Sequence, residues 1–194
     1  IIDYNRQSLD AVVHEDLYKK FEIMFANYGW DVVVIKYGKA LQAAFAETGG
    51  EALRAWIDCC PNQVYAALCF KGGAAFRAKI TSDLADDADA LAIIARRTDE
   101  ELLALMSNLG GHDMESLIEA FHGVTHDRPT CFLAYTIKGI GLPFQGHKDN
   151  HAGLMSPAQI EAWRGRLGIR QDHEWDKFEG LAVPRDDLEA FLNS

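Results

Sequence analysis

Two short apolar segments constrain the fold of this chain more than any other feature. Residues 30–37 (WDVVVIKY) and 130–137 (TCFLAYTI) are rich in β-branched and aromatic residues and are almost continuously apolar. Such runs are typical of central strands in a parallel sheet, which helices cover on both faces. A third strand is predicted at residues 1–4, which begin with Ile1 and Ile2. We therefore expect an α/β fold with a parallel sheet flanked by helices.

A helix is predicted between the first two strands, so that residues 1–37 form a strand, helix, strand unit. Glu15 and Asp16 stand at its start and Gly29 follows its end, as helix-dipole and C-cap chemistry prefer. Its inward face is expected to consist of apolar residues at helical spacing, namely Leu17, Phe21, Met24, Phe25 and Tyr28.

Another helix is predicted to begin after Asp113, whose carboxylate can cap free amides. Its inward residues are expected to be Leu117, Ile118, Phe121 and Val124. Further along, Ser156 and Pro157 predict the start of a helix, with serine as the cap and proline in the first turn. Residues 139–155 are therefore expected to form a long loop at the carboxyl end of a strand, where open α/β sheets bind ligands.

Residues 38–108 do not follow the alternation of strands and helices. Helical patterns at about 39–57 and 99–108 predict a mainly helical insertion in a domain that covers residues 1–169. From residue 170 onward the chain is rich in charged residues and is predicted to be a connector toward a following domain. Because Ile1 opens an apolar run as if inside a strand, we expect the chain to be part of a longer protein.

Composition narrows the possible partners. The 194 residues are 48% hydrophobic and carry a net charge of −10, which favours a globular protein and argues against a nucleic-acid or membrane surface. No apolar stretch approaches the roughly 20 residues of a membrane span, and no segment resembles a signal peptide. These features predict a cytoplasmic protein.

The cysteines and histidines do not form a convincing metal pattern. Four cysteines lack C-x-x-C spacing, which favours buried free thiols over a disulfide or a zinc site: Cys59, Cys60, Cys69 and Cys131. His147 and His151 are four residues apart, but nearby glycine and proline argue against the helix that a zinc pair would need. A role in proton transfer or phosphate contact suits these imidazoles better.

Polar residues with useful chemistry follow two of the predicted strands. The side-chain oxygen of Asn5 and the backbone carbonyl of Gln7 could hold Mg²⁺ or Ca²⁺ together with a carboxylate from elsewhere. Gly139 allows the backbone to approach a ligand closely, and Lys138 can contact phosphate or carboxylate oxygens. A plain strand-end turn and a polar surface loop are the alternatives at these two places.

Together these motifs resemble the thiamin-diphosphate enzymes of the transketolase and 2-oxoacid dehydrogenase superfamily. The similar segments are Asn5-Arg6-Gln7, Gly111-His112-Asp113, Thr136 to Gly141, and the later His151, in that order along residues 1 to about 168. An insertion of about 70 residues before the Gly-His-Asp motif resembles the homodimeric pyruvate dehydrogenase first component more than a transketolase.

The resemblance implies a fold, two cofactors and several partners. The fold is the carboxyl-terminal part of a thiamin-diphosphate-binding domain, and the cofactors are thiamin diphosphate and Mg²⁺ or Ca²⁺. The full-length homodimer would decarboxylate a small 2-oxoacid, pyruvate, and reductively acylate lipoyl groups on an acyltransferase core. A Gly-Asp-Gly motif is expected upstream, so the chain alone should be inactive. Sugar-phosphate ketol transfer and a non-catalytic dimerisation or docking module are the alternatives.

The resemblance also implies roles for individual residues. Asn5 and Gln7 would bind the metal and the cofactor, and Gly139 would contact the cofactor. Lys138 would contact the substrate carboxylate or the acyl-transfer intermediate, while His151 would donate to the cofactor diphosphate or shuttle a proton. His147 and Lys148 are weaker candidates, and His112 is assigned to structure. A divalent ion would let an acidic protein bind a diphosphate without a basic surface.

Overall fold

The computed structural model describes residues 1–9, 11–13 and 17–194, and it divides them into two compact units, residues 1–152 and 153–194. The strands are β1 (Ile2–Tyr4), β2 (Gln7–Ser8), β3 (Ala11–Val12), β4 (Asp31–Ile35) and β5 (Thr130–Tyr135). The helices of the first unit are α1 (Leu17–Asn27), α2 (Lys39–Phe45), α3 (Gly50–Cys59), α4 (Asn62–Lys71), α5 (Gly73–Asp83), α6 (Ala88–Ala95), α7 (Asp99–Met106) and α8 (Met114–His122), with a 3₁₀ turn at Gly110–His112.

A parallel sheet of three strands forms the centre of the first unit, in the order β1-β5-β4. Tyr4 lies opposite Tyr135, and Ile35 lies opposite Ala134, so all three strands end at one edge. β2 and β3 form a small antiparallel hairpin directly after β1. The predicted α/β class, with a parallel sheet flanked by helices, is confirmed.

The predicted inward faces of α1 and α8 are only partly correct. Met24 and Tyr28 are exposed, with 43% and 80% of their surface accessible, and Ile118 and Phe121 are about half exposed. A sheet of three strands is only about 10 Å wide, since neighbouring strands lie about 4.8 Å apart. A helix of similar diameter covers that width, and its flanking apolar residues extend beyond the sheet.

The ends of these helices are better predicted than their faces. The Asp113 carboxylate accepts a hydrogen bond from the Ser116 amide at 2.8 Å, which is the predicted N-cap of α8. Gly29 follows α1 with φ of +78°, a left-handed conformation that glycine adopts without strain. Glu15 and Asp16, predicted at the start of α1, lie outside the described residues.

Helices α2 to α7 confirm that the insertion is mainly helical. They also hold most of the buried apolar side chains in the part of the chain that the structure describes. The single helix predicted at about 39–57 is instead two helices, α2 and α3, because the chain turns at Gly49 with φ of +83°. A side chain at this glycine would overlap the backbone of Asp89 and Ala90. The fully buried residues of the insertion include Leu41, Leu53, Tyr65, Phe76, Ile80, Ile93, Leu102 and Met106.

The His112 imidazole joins the 3₁₀ turn to the end of β5. Its Nε2 atom accepts a hydrogen bond from the Ile137 amide at 2.7 Å, so the ring is neutral and carries its proton on Nδ1. Burial lowers the pKa of His112, although the nearby Asp3 opposes this change. This contact fixes the backbone immediately before Lys138.

The cysteines are all free thiols. Cys69 and Cys131 are buried, as predicted, whereas Cys60 is half-buried and Cys59 is exposed at the end of α3. None of the described helices is long and apolar enough to cross a membrane.

The second unit contains α9 (Pro157–Arg166) and α10 (Arg185–Leu192). α9 begins as predicted, because the Ser156 hydroxyl accepts a hydrogen bond from the Gln159 amide at 3.3 Å and Pro157 follows the cap. α10 was not predicted, since its sequence lies within the stretch interpreted as a connector. The extent of the larger domain, at residues 1–169, stays a prediction.

Close packing between α5 and α7 yields a stability prediction. A side chain at Gly73 would overlap the carbonyl oxygen of Asp99, so Gly73→Ala should lower the free energy of unfolding by about 1–3 kcal/mol. Gly123→Ala is the matched control, because its φ of −68° suits alanine and the nearest carbonyl oxygen is 3.3 Å from the new atom. Urea unfolding measures both variants; an unchanged midpoint for Gly73→Ala would contradict the packing.

The buried imidazole yields a pH prediction. Since the folded state lowers the pKa of His112 below its ordinary value of 6.5, the neutral ring stabilises the fold fully above about pH 6.5. That contribution is lost as the pH falls through the lowered pKa. His112→Gln keeps an acceptor for the Ile137 amide but does not titrate, so it should lose less stability than the wild type between pH 7 and pH 5. Parallel losses in urea unfolding across this range would count against the contact.

Candidate functional site

The turn at residues 5–7, which follows β1, is organised by its own side chains. The Gln7 amide donates to the Asn5 side-chain oxygen at 2.9 Å, as asparagine commonly does in turns. Arg6, between them, has φ of +64°, which is rare for a residue with a side chain. We call residues 5–7 the strand-end turn.

A hydrogen bond joins the strand-end turn to the loop that follows β5. The Gln7 side-chain nitrogen donates to the Gly146 carbonyl at 3.1 Å, across 139 positions of sequence. The parallel pairing of β1 with β5 makes this contact possible, because both strands end at the same edge of the sheet. The two sequence motifs that were predicted separately are therefore in direct contact.

Lys138 lies at the base of the same loop and is held by several hydrogen bonds. Its ammonium group donates to the Leu9 carbonyl in the β2–β3 hairpin at 2.7 Å. Its carbonyl accepts from the Gly146 amide at 3.0 Å and from the Asn150 side chain at 2.8 Å. An ammonium group has three donors, so donors remain for a ligand after the Leu9 contact.

The Asn150 side chain lies against Gly139, and Asn150 immediately precedes His151 in the sequence. A side-chain carbon at Gly139 would lie 3.1 Å from the Asn150 amide nitrogen, and Gly139 has φ of +69°. The contact with Asn150 and the positive φ together explain why residue 139 is a glycine without any appeal to a ligand. His151 follows Asn150 directly and is exposed. A cofactor contact at Gly139 and a proton-transfer role for His151 stay predictions.

The loop packs against α4 of the helical insertion. Gln145 bridges the two, since its oxygen accepts from the Gly141 amide at 3.0 Å and its nitrogen donates to the Cys69 carbonyl at 3.2 Å. A side chain at Gly146 would come within 2.6 Å of the Ala66 carbonyl oxygen. Sequence reasoning missed the contributions of Gln145 and Asn150, because a polar residue in a loop gives no signal of its long-range partner.

A groove of about 590 Å³ lies between the β2–β3 hairpin, α4 and this loop. Its lining is mainly apolar, with Val12, Ala67 and Phe70, and carries Lys71 and Lys148. The His147 ring lies 4.6 Å from the Phe70 ring, and its Nδ1 atom accepts from the Asp149 amide at 3.1 Å. Lys148 contacts Asp149 and lowers the pKa of that carboxyl group.

The oxygen atoms that the strand-end turn can offer as ligands fit part of a divalent-metal site. Amide and carbonyl oxygens are the hard ligands that Mg²⁺ and Ca²⁺ prefer. The Gln7 side-chain oxygen is buried and accepts no hydrogen bond from any described residue. One buried acceptor at this turn therefore lacks a hydrogen-bond donor among those residues. No group of three or more histidine, cysteine or acidic side chains suited to a metal occurs among the described residues. A divalent ion held at this turn would therefore need further ligands from outside these side chains.

Comparisons with known proteins support the resemblance seen in the motifs. The chain is 27% identical to the pyruvate dehydrogenase E1 component of Cupriavidus necator over 169 residues. It is 28% identical to that of Corynebacterium glutamicum over 176 residues and to that of Buchnera aphidicola subsp. Acyrthosiphon pisum over 193 residues. These alignments cover 84%, 87% and 97% of the chain. No protein-family model matches it.

The same alignments cover 18–20% of the relatives' own length. The chain thus spans about one fifth of the curated proteins that it matches. The predicted resemblance is confirmed: this chain is similar to a segment of pyruvate dehydrogenase E1 components.

Proposed function

We propose that this chain forms part of a thiamin-diphosphate-dependent 2-oxoacid dehydrogenase component that decarboxylates pyruvate and passes the two-carbon unit to lipoyl groups. Its similarity to pyruvate dehydrogenase E1 components, at 27–28% identity, supports this reaction class. The contact between Gln7 and Gly146 carries the proposal, because it joins the candidate metal turn to the loop with Lys138 and His151. A lipoyl-bearing acyltransferase core and a second E1 subunit are the proposed partners.

The strand-end turn is proposed to hold the metal and, through it, the cofactor diphosphate. The Asn5 side-chain oxygen and the Gln7 carbonyl would supply two of the six or more oxygen ligands that Mg²⁺ or Ca²⁺ requires. A divalent ion neutralises part of the diphosphate charge, so a chain with a net charge of −10 can hold this anion. When bound, thiamin diphosphate supplies the carbon nucleophile and the electron sink for decarboxylation.

Lys138 and His151 are proposed to act on the substrate side of this site. The Lys138 ammonium, held at the Leu9 carbonyl, can attract the carboxylate of a 2-oxoacid or the charge that develops during acyl transfer. His151 is exposed on the loop, and its imidazole can donate or accept a proton. The hydrogen bonds of Asn150 fix the backbone immediately before His151, which limits the positions that its ring can reach.

The first test measures metal-dependent cofactor binding by the natural protein that contains this chain. Asn5→Ala removes one proposed oxygen ligand and should raise the Mg²⁺ concentration needed for half-maximal thiamin diphosphate binding by about tenfold or more, as loss of metal-site groups commonly does. Asn27→Ala, on the exposed end of α1, is the matched control. An unchanged Mg²⁺ requirement in titration calorimetry would remove Asn5 from the site.

The second test concerns turnover. Lys138→Ala and His151→Ala should each lower kcat with pyruvate by at least about 10²-fold, the loss typical of electrostatic and acid-base groups. Lys20→Ala and His122→Ala are matched controls, because both side chains are exposed on helices. Near-normal turnover in the Lys138 and His151 variants would refute their assignment.

The choice of substrate separates the proposal from its alternatives. Turnover of pyruvate with a lipoyl acceptor, and no turnover of xylulose 5-phosphate, is the expected result. The reverse preference would indicate a ketol transferase. If the full-length protein consumes neither substrate and Mg²⁺ does not affect its binding of thiamin diphosphate, the result would instead favour a dimerisation or docking module.

A further inference from the structure

We infer that Arg6 is a positioning residue for the metal and cofactor, and that it acts by anchoring the strand-end turn to the helical insertion. Arg6 lies between the two proposed metal ligands, Asn5 and Gln7, but its guanidinium group turns inward. Its central carbon lies 4.5 Å from the centre of the Tyr65 ring in α4. The inference rests on the proposed function, since it concerns the affinity of that metal and cofactor site.

The backbone at Arg6 needs a compensating interaction. Its φ of +64° brings the side chain of an L-residue close to its own backbone, a conformation that only glycine and, less often, asparagine and aspartate adopt readily. Such strained residues persist when their surroundings hold them in place, and they cluster at ligand-binding positions. The strain here falls on the residue that separates two proposed ligands.

Tyr65 provides a rigid partner for the Arg6 side chain. Its ring is 1% exposed, and its hydroxyl donates to the Met106 carbonyl at the end of α7. A guanidinium group over an aromatic face is attracted to the ring, and this attraction is larger when water is excluded. Burial raises the pKa of Tyr65 and raises that of the nearby Cys60 thiol to about 11, so these groups remain neutral.

The rest of the hairpin is tied to the same helix. The Arg6 carbonyl accepts a hydrogen bond from the Val13 amide at 2.9 Å. The Val13 carbonyl in turn accepts from the Asn62 side chain at 3.2 Å, in the first turn of α4. Both the turn and the returning strand of the hairpin are therefore fixed to the insertion, through a stacked side chain on one side and a hydrogen bond on the other.

This anchoring determines how the ligands are presented. With Arg6 in its left-handed conformation, the Gln7 amide reaches the Asn5 side-chain oxygen at 2.9 Å, which orients that side chain. If the stack is lost, the backbone at Arg6 can relax to an ordinary conformation, and the Asn5 amide and Gln7 carbonyl no longer have a fixed separation. The structure thereby gives the helical insertion a part in cofactor binding, although α4 supplies no proposed metal ligand.

The experiment measures thiamin diphosphate binding against Mg²⁺ concentration in the full-length protein that contains this chain. Arg6→Ala should raise the Mg²⁺ concentration for half-maximal binding about tenfold, while kcat at saturating Mg²⁺ and cofactor changes less than threefold. Arg6→Lys keeps the charge but lacks the planar group, and should weaken binding nearly as much. Arg54→Ala is the control, because Arg54 also stacks on a tyrosine that packs against the insertion. The central carbon of its guanidinium group lies 5.8 Å from the centre of the Tyr37 ring.

Variants of the partner test the route of the effect. Tyr65→Phe keeps the aromatic face and should leave the Mg²⁺ requirement within about twofold, whereas Tyr65→Leu should reproduce the effect of Arg6→Ala. The double variant Arg6→Ala with Tyr65→Leu should then be no weaker than either single variant, since both remove one interaction. If Tyr65→Leu fails to fold, the Arg6 variants and Tyr65→Phe still test whether Arg6 positions the metal site.

The outcomes separate this inference from the proposed function. Wild-type protein that binds the cofactor normally, with an unchanged Mg²⁺ requirement in Arg6→Ala, overturns the positioning role alone. Full binding by Arg6→Lys, with loss in Arg6→Ala, would show a direct charge contact with the diphosphate and also overturn it. Wild-type protein without Mg²⁺-dependent cofactor binding overturns the proposed function and the inference together.

Discussion

The position of β5 between β1 and β4 is the constraint on which the candidate site depends. Because the three strands run parallel, the chain leaves all of them at one edge, and the residues that follow β1 and β5 meet there. Tyr4 and Tyr135 reinforce this pairing, with ring centres 4.8 Å apart in an edge-to-face arrangement. Such aromatic pairs are worth about 0.5–1.5 kcal/mol beyond their buried area. A change in this register would separate Gln7 from Gly146.

The helical insertion supports the edge of this small sheet. Three strands cannot bury much surface on their own, and most of the fully buried side chains among the described residues lie in α2 to α7. Several of its contacts end at the site: α4 receives Gln145, excludes a side chain at Gly146 and lies beneath Arg6. The insertion therefore supplies the rigidity that the loop after β5, with its glycines, cannot supply itself.

Local signals explain which parts of this structure could be predicted from sequence. The three strands of the parallel sheet, the Asp113 and Ser156 caps and the helical insertion were predicted, because apolar runs and capping side chains act within a few residues. The short β2–β3 hairpin was not predicted. The exposure of Met24 and Ile118 was not predicted. A helical pattern shows which residues share one face of a helix, but it does not show the width of the sheet against which that face packs. Asn5, Gln7 and Lys138 were proposed as site residues from the strand ends and a family resemblance.

The interactions that assemble the site depend on long-range contacts that a sequence pattern does not contain. Arg6 stacks on a residue 59 positions away, and Gln7 reaches one 139 positions away. Neither side chain differs in type from an ordinary residue of a polar turn. Only the fold shows that Arg6 turns inward and that its backbone is strained, and these two observations together distinguish it from a solvated cation.

Charge at the site is decided locally rather than by the net charge of the chain. At physiological ionic strength the screening length is about 8 Å, so exposed acidic groups farther away act only weakly on a ligand at the strand ends. In the part of the chain that the structure describes, the Lys148 ammonium contacts a carboxylate, Asp149, whereas the Lys138 ammonium contacts only a carbonyl, that of Leu9. A carbonyl positions the ammonium without cancelling its charge. Lys138 thus keeps its attraction for an anion, and this is the physical reason why the proposed contact with the substrate carboxylate is assigned to Lys138 rather than to Lys148.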